Sequence, residues 1–408
     1  MTTTDTEKSL RLAAWAQNTA PSPMQDMLAL TARPGLISFG LGLPNQELFP
    51  REAFAEASSS VLLNKPHTLQ YGPAGVMHTL KASIAELMKG RGVSCTEEEI
   101  FLTTGAQQAI NMLARLLLEP GGQVVTEEIT YPGFLQVLEP FAPELLTVPT
   151  CPQTGMDVDA VEALLQAGKR PAFIYSITDG HNPLGSSMSR EKREKLARLA
   201  REYGVPVVED DPYGFLSYAD VSLPPLKALE SEWVFYAGSF SKILAPGVRI
   251  GWLIVPAALT QKLSVVKESY DINTANWSQH SVAHYMESGK LTGHLELLRR
   301  EYSARRDTML QAIASYFPAE TRAEKPSNGM FLWAELPEWV DVPQLLRDAV
   351  EQKKVAFFPG QAFDTPGNTK GKHGMRLNFS NATHEQIETG IKGIGELIEA
   401  QRAALGQS

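Results

Sequence analysis

Ala172 to Asp210 reads AFIYSITDGHNPLGSSMSREKREKLARLAREYGVPVVED. It opens on an apolar, β-rich run (172–177) and passes through a charged pattern of helical period (189–204) that stops at Gly204. It closes on a second apolar run (205–210). Strand, helix and strand in this order predict parallel strands joined by a crossover and covered on both faces. Outward from this unit the signal recurs in EIFLTT (99–104), QVVTEE (123–128), LLTVPT (145–150), WVFYAGS (233–239) and RIGWLIV (249–255). A second helical pattern lies in AQQAINMLARLLLE (106–119). The expectation is an α/β fold on a mostly parallel sheet of these seven runs, with ligands held beyond the carboxyl ends of the strands.

The flanks read differently. A long charged helix pattern, HLELLRREYSARRDTMLQAIASYF (294–317), leads to shorter strands, GMFLWAEL (329–336) and HGMRLNFS (373–380), and a final helix from about Thr383. This predicts a smaller α+β domain. The segments APSP (20–23), RPG (33–35) and GLGLP (40–44) are too irregular for a domain of their own. The predicted division is an N-terminal arm over 1–50 that packs with the small domain, a large domain over 51–293 and a small domain over 294–408.

The chain has 408 residues, 43 % of them hydrophobic, and 37 Lys plus Arg against 46 Asp plus Glu, a formal charge of −9. That suffices for folded domains and excludes disorder over most of the length. It lacks the electrostatic footprint of a nucleic-acid or anionic-membrane binder. Cys95 and Cys151 are too few for a disulfide scaffold or a four-cysteine zinc site. MTTTDTEKSL (1–10) has no apolar signal core, and no stretch approaches the roughly 18 uninterrupted apolar residues of a membrane span. A cytoplasmic enzyme is the expectation.

Three segments carry chemistry. In GSFSKILAPGVRIGW (238–252) a lysine follows a strand end within Ser-Phe-Ser-Lys, and Arg249 lies seven residues beyond Lys242. Two hydroxyls, an ammonium and a guanidinium there form an anion site with a nucleophilic amine inside it, as a phosphorylated aldehyde requires. A surface lysine beside a structural arginine is the plainer alternative. In TTGAQQAI (103–110) a strand turns through Gly105 into a helix whose N-terminus favours a phosphate, although such turns also occur without a ligand. In VVEDDPYGF (207–215), Asp210 is placed to pair with a protonated ring nitrogen and Tyr213 to reach a neighbouring ring oxygen. A solvated acidic turn is the alternative there; no matching His or acid spacing follows to support a metal.

Together these parts supply what a pyridoxal phosphate site needs: an amine, donors for the phosphate, and a carboxylate for the pyridine nitrogen. The sequence resembles the fold-type I pyridoxal-phosphate enzymes of the class I/II aminotransferase family, nearest the branch acting on aromatic amino acids, kynurenine and 2-aminoadipate. The resemblance runs from about Pro21 to the C-terminal helix. It implies that Lys242 is the Schiff-base lysine and proton shuttle and that Asp210 partners the pyridine nitrogen. Tyr213 and Asn182, the latter in HNPLG (181–185), are implied at the ring hydroxyl oxygen. Gly105, Ala106, Gln107, Ser239, Ser241 and Arg249 are implied at the phosphate, and Tyr131, in EEITYPG (127–133), in a stack on the ring. Tyr71, in QYGPAG (70–75), matches a tyrosine lent to a neighbouring subunit's phosphate, which implies a homodimer. Arg376, in GMRLNFS (374–380), matches the bidentate clamp on the substrate α-carboxylate. The implied cofactor is pyridoxal 5'-phosphate, and the implied activity moves an amino group between an L-amino acid and a 2-oxo acid.

The departures cluster around the substrate. The segment usually written QNPTG reads HNPLG, with His181 and Leu184 in place of Gln and Thr. An imidazole there is either a neutral replacement or an extra acid or base. SPMQD (22–26) puts Gln25 where relatives often carry an Arg for an acidic side chain, which argues against 2-aminoadipate. The arm's Gly-Gly becomes Leu41-Gly42, and the Gly-Gly before Met-Phe becomes Asn328-Gly329. Gly42 and Gln25 are therefore expected beside the substrate. Diversion of the same chemistry to elimination, replacement, cyclisation or carbon–carbon bond formation stands as the alternative outcome.

Some transcription regulators join this fold to a winged-helix DNA reader of about 60 to 80 basic residues, whereas about 20 residues precede the motif region here. His280 and His284 in QHSVAH lack the Glu of a metalloprotease helix and read as ordinary helix residues. Tyr270 and Asn273 are further candidates for approaching the substrate, and Lys370 and Lys372 read as a solvated loop.

Overall fold

The computed structural model describes residues 11–17, 19, 22–72, 77–219 and 222–406. The first ten residues, Pro21, and Pro73 to Gly75 of QYGPAG lie outside the described residues. Among those described, seven strands share one sheet: β1 (Ile100–Thr103), β2 (Gln123–Glu127), β3 (Glu144–Val148), β4 (Phe173–Ser176), β5 (Val207–Asp211), β6 (Val234–Ser239) and β7 (Gly251–Ile254). Their order is β1-β7-β6-β5-β4-β2-β3. β7 runs antiparallel to β1 and β6, and every other neighbouring pair is parallel.

Every residue of β4, β5 and β6 is buried, which is why their sequences show no polar alternation. Alternate residues serve opposite faces. Tyr175 and Val208 join one apolar cluster with Ile110 and Leu113 of the helix Ala106–Leu117. Ile174 and Val207 join another with Leu196 and Leu199 of the helix Arg190–Tyr203. Ser189 caps the second helix by accepting from Lys192 N–H, and Gly204, at φ 63°, ends it in the left-handed region.

A second sheet has the order β8-β9-β11-β10, all antiparallel, from β8 (Arg322–Ala323), β9 (Phe331–Glu335), β10 (Phe358–Pro359) and β11 (Gly374–Asn378). The helices Lys290–Tyr316 and His384–Ala404 pack together beside it, and the second begins at a capping box of Thr383 and Gln386. Ile37–Ser38 of the N-terminal segment pairs in parallel with Val355–Ala356, and Asn378 N–H donates to Phe39 O at 2.8 Å. Residues 40–42 are thereby carried to the mouth of the large sheet.

Candidate active site

The carboxyl ends of β1, β2, β4, β5 and β6 surround a cavity of about 320 Å³. Ala106 and Gln107 line it at the start of their helix, Asp210 near the end of β5 with Pro212 and Tyr213 just beyond it, and Ser239 at the end of β6 with Ser241 and Lys242 just beyond it. Tyr131, Asn182, Arg249, Arg376 and Gly42 complete its polar lining.

Lys242 Nζ donates to the carbonyl of Gly42 at 2.7 Å. Burial, then the positive Arg376 and Arg249, lower its ammonium to about 8. Asp210 Oδ2 accepts the Tyr175 hydroxyl at 2.7 Å, whereas Oδ1 is buried without a partner. Burial raises Asp210 to about 7 despite that bond, and the Asp211 carboxylate adds to the rise. The Tyr175 ring is held face-on to Phe134, with centroids 3.6 Å apart and planes 7° apart.

The anion end is built from backbone as well as side chains. Gly105 precedes the helix at φ 86°, and a Cβ there would lie 2.6 Å from Arg249 Nη2, so a glycine is needed on both counts. Arg249 itself adopts φ 53°, an uncommon angle for a side-chain-bearing residue, and Nη2 donates to Thr104 O at 2.9 Å. The guanidinium therefore sits beside the open N–H groups of the helix. Ser239 Oγ accepts from Ser241 N–H at 3.1 Å, fixing that turn.

Arg376, 1 % exposed, donates through Nη1 to Asn182 Oδ1 at 2.7 Å and through Nη2 to Gly40 O. Its guanidinium carbon lies 4.3 Å from the Phe331 ring centroid, 4.8 Å from that of Phe363 and 5.0 Å from that of Phe358. Burial lowers it to about 10, still a cation at neutral pH. Phe331 also meets Tyr213 edge to face, with centroids 5.7 Å apart.

Twelve of the expected site residues line this cavity, and Gly105 adjoins it. Gln25 is exposed and does not line it; Met24 and Leu28 of the same helix, Pro23–Thr31, do. Tyr71 is 75 % exposed and also outside it. Tyr270 bonds to Asn111 and Asn273 to Thr274 O, away from the lining. His181 turns from the cavity toward Glu127, so it offers no acid or base there. Leu41 lines the cavity, and Leu184 is buried in a cluster with Leu41 and Met27.

Sequence reasoning missed Tyr175, because a tyrosine in a buried strand reads as core. It also missed how the three acids ending β5 divide their work. Glu209 accepts from Thr178, Leu226 N–H and Lys227 N–H. Asp211 accepts from Arg91, from Tyr236 at 3.0 Å and from Gly214 N–H at 2.7 Å. Arg91 continues to Asp179 at 2.8 Å, which Arg193 meets at 2.6 Å. A signal existed for Arg193, which occupies the apolar stripe shared with Leu196, Ala197 and Ala200. Arg91 in Gly-Arg-Gly gave none.

The site fits pyridoxal phosphate on its own terms. A buried carboxylate oxygen lacks the N–H it needs, a lysine lowered by burial lines the same cavity, and hydroxyls, a guanidinium and a helix N-terminus form a setting for an anion. Among the described residues no group of three metal-ligating side chains comes together, and no helix is long and apolar enough to cross a membrane.

Residues 35–394 match the family described as aminotransferase class I and II, and the chain belongs to that family. It is a pyridoxal-phosphate-dependent aminotransferase of fold type I. It is 37 % identical to aromatic-amino-acid aminotransferase 1 of Thermococcus litoralis, over 93 % of this chain and 92 % of that protein. It is 36 % identical to 2-aminoadipate transaminase of Thermus thermophilus, over 93 % and 94 %. Among solved structures, kynurenine aminotransferase of Pyrococcus horikoshii superposes with a TM-score of 0.90 at 34 % identity, covering 97 % of this chain and 98 % of that one.

Proposed function

We propose that this aminotransferase prefers L-amino acids with apolar, uncharged side chains. The observation that carries this reading is the wall of the cavity that Met24, Leu28, Leu41, Leu43 and Phe331 contribute. Each cation in the lining is already engaged, Arg249 at the phosphate, Lys242 at the reacting carbon and Arg376 at the α-carboxylate. A second carboxylate would be desolvated there without a partner.

Bound pyridoxal phosphate supplies an aldehyde carbon that carries the amino group and a ring that draws electrons from the substrate Cα. Asp210 Oδ1 would hold the ring N–H, with Tyr213 and Asn182 at the ring oxygen and Tyr131 against the ring face. Ala106 and Gln107, with Gly105, Ser239, Ser241 and Arg249, would hold the phosphate. Arg376 orients the substrate through its α-carboxylate. Lys242 Nζ, lowered to about 8, would take the proton from the substrate Cα and deliver it to the cofactor's aldehyde carbon on the far side of the shared nitrogen.

The same reading divides the chain into an arm (1–50), a large domain (51–293) and a small domain (294–408). The pairing of Ile37–Ser38 with Val355–Ala356 supports packing of arm with small domain. It also places the protein in the cytoplasm as a homodimer with Tyr71 reaching the partner's phosphate. Exposed Leu63, Leu69, Tyr71 and Ile272 support an interface.

The test is the first half-reaction without acceptor, followed by loss of the lysine-bound cofactor's visible absorbance. L-Leucine, L-methionine and L-phenylalanine should react at least about tenfold faster than L-glutamate or L-2-aminoadipate at equal concentration. Faster reaction of the acidic donors would overturn the preference.

A further inference from the structure

His181 and Glu127 form a buried pair behind the cavity that the chemistry above leaves unused. Their side chains are 2 % and 3 % exposed, and His181 Nε2 lies 3.1 Å from Glu127 Oε2, close but off the line of an aligned hydrogen bond. The other carboxylate oxygen accepts the Thr150 hydroxyl at 2.8 Å. On the far side of the ring, His181 Nδ1 accepts from Leu184 N–H at 3.4 Å. The backbone closes the same turn: Gly185 N–H donates to His181 O at 2.6 Å and His181 N–H to Ser186 O at 2.7 Å.

A carboxylate offers only acceptors and Leu184 N–H only a donor, so a ring that presents Nε2–H toward Glu127 and Nδ1 toward Leu184 matches both neighbours. The ring then joins the end of β2 to the turn that carries Asn182. Asn182 Oδ1 is one of the two acceptors that Arg376 has, at 2.7 Å.

We propose that His181, held between Glu127 and Leu184 N–H, is a positioning residue that sets Asn182 and, through it, the grip of Arg376 on the substrate α-carboxylate. The inference rests on the reading of Arg376 as that clamp. A glutamine could reproduce both contacts, since its amide donates and accepts; an alanine could reproduce neither.

The experiment titrates the cofactor-loaded protein with 3-phenylpropanoate, a monocarboxylate without an amino group, by its absorbance change. Cofactor affinity and melting temperature are measured in parallel. Arg376→Lys comes first: unchanged binding would refute the clamp, and the inference with it. With the clamp upheld, His181→Ala should weaken 3-phenylpropanoate about five- to tenfold. His181→Gln should restore it to within about twofold, and cofactor affinity should move less than about twofold in both. Glu127→Met, which keeps the length but offers His181 no carboxylate acceptor, should weaken the probe in the same direction and carries the test if His181→Ala does not fold. The inference falls if probe binding is unchanged in the folded variants, or if it declines only in step with cofactor affinity and melting temperature.

Discussion

Tyr175 donates its hydroxyl to Asp210 Oδ2 at 2.7 Å, and Asp210 Oδ1 is left buried and unpaired at the cavity. One oxygen is thus committed to the scaffold and the other kept for a ligand N–H. Tyr175→Phe removes the commitment while keeping the stack on Phe134, so cofactor affinity should fall about two- to tenfold. Equilibrium titration of the cofactor-free protein measures this; an unchanged dissociation constant would show that packing alone orients Asp210.

Asp210 also predicts a pH dependence. Its folded value of about 7 stands above the ordinary 3.8, so the folded protein holds a proton that the unfolded chain releases. Without cofactor, this carboxyl costs nothing below its ordinary value; the cost grows up to about 7 and is constant above. Asp210→Asn removes it, at about 1.4 kcal/mol per pK unit. The cofactor-free variant should therefore melt higher than wild type at pH 8, with the gap closing toward pH 4, while its cofactor binding is lost. A gap that widens toward acid would contradict the assignment.

Lys242→Ala should remove both the visible band of the lysine-bound cofactor and turnover, by at least about 10²-fold. Rapid-scan spectroscopy and steady-state assay check both. Near-normal activity would reassign the nucleophile.

Gly105→Ala places a Cβ 2.6 Å from Arg249 Nη2 at a backbone φ of 86°. With ψ at 169° the residue sits in a region essentially reserved for glycine, and that angle alone costs about 1–3 kcal/mol. Melting temperature and cofactor affinity should drop together if the displaced guanidinium holds the phosphate as proposed. Loss of stability with intact phosphate binding would separate Arg249 from that role.

Much of this was legible because double-sided burial writes itself as unbroken apolar runs. The runs ending at Asp210 and Ser239 marked strands whose carboxyl ends hold Asp210, Ser241 and Lys242. Backbone acceptors left no such trace. Gly40 and Gly42 have no side chain to announce that their carbonyls receive Arg376 and Lys242. Long-range partners were equally silent: Arg91 meets Asp211 across 120 residues of sequence. His181 stood out as a departure, but only the fold brings its ring against Glu127.

Those two carbonyls have a consequence for how such a protein can change. A peptide oxygen is the same whatever side chain follows it, so Arg376 and Lys242 are held by groups that mutation at Leu41 cannot delete. Leu41 and Leu43 alternate with Gly40 and Gly42 and face the cavity. On the proposed function, this wall is free to drift in sequence while Arg376 and Lys242 stay anchored, and selectivity can be retuned within GLGLP without rebuilding the chemistry.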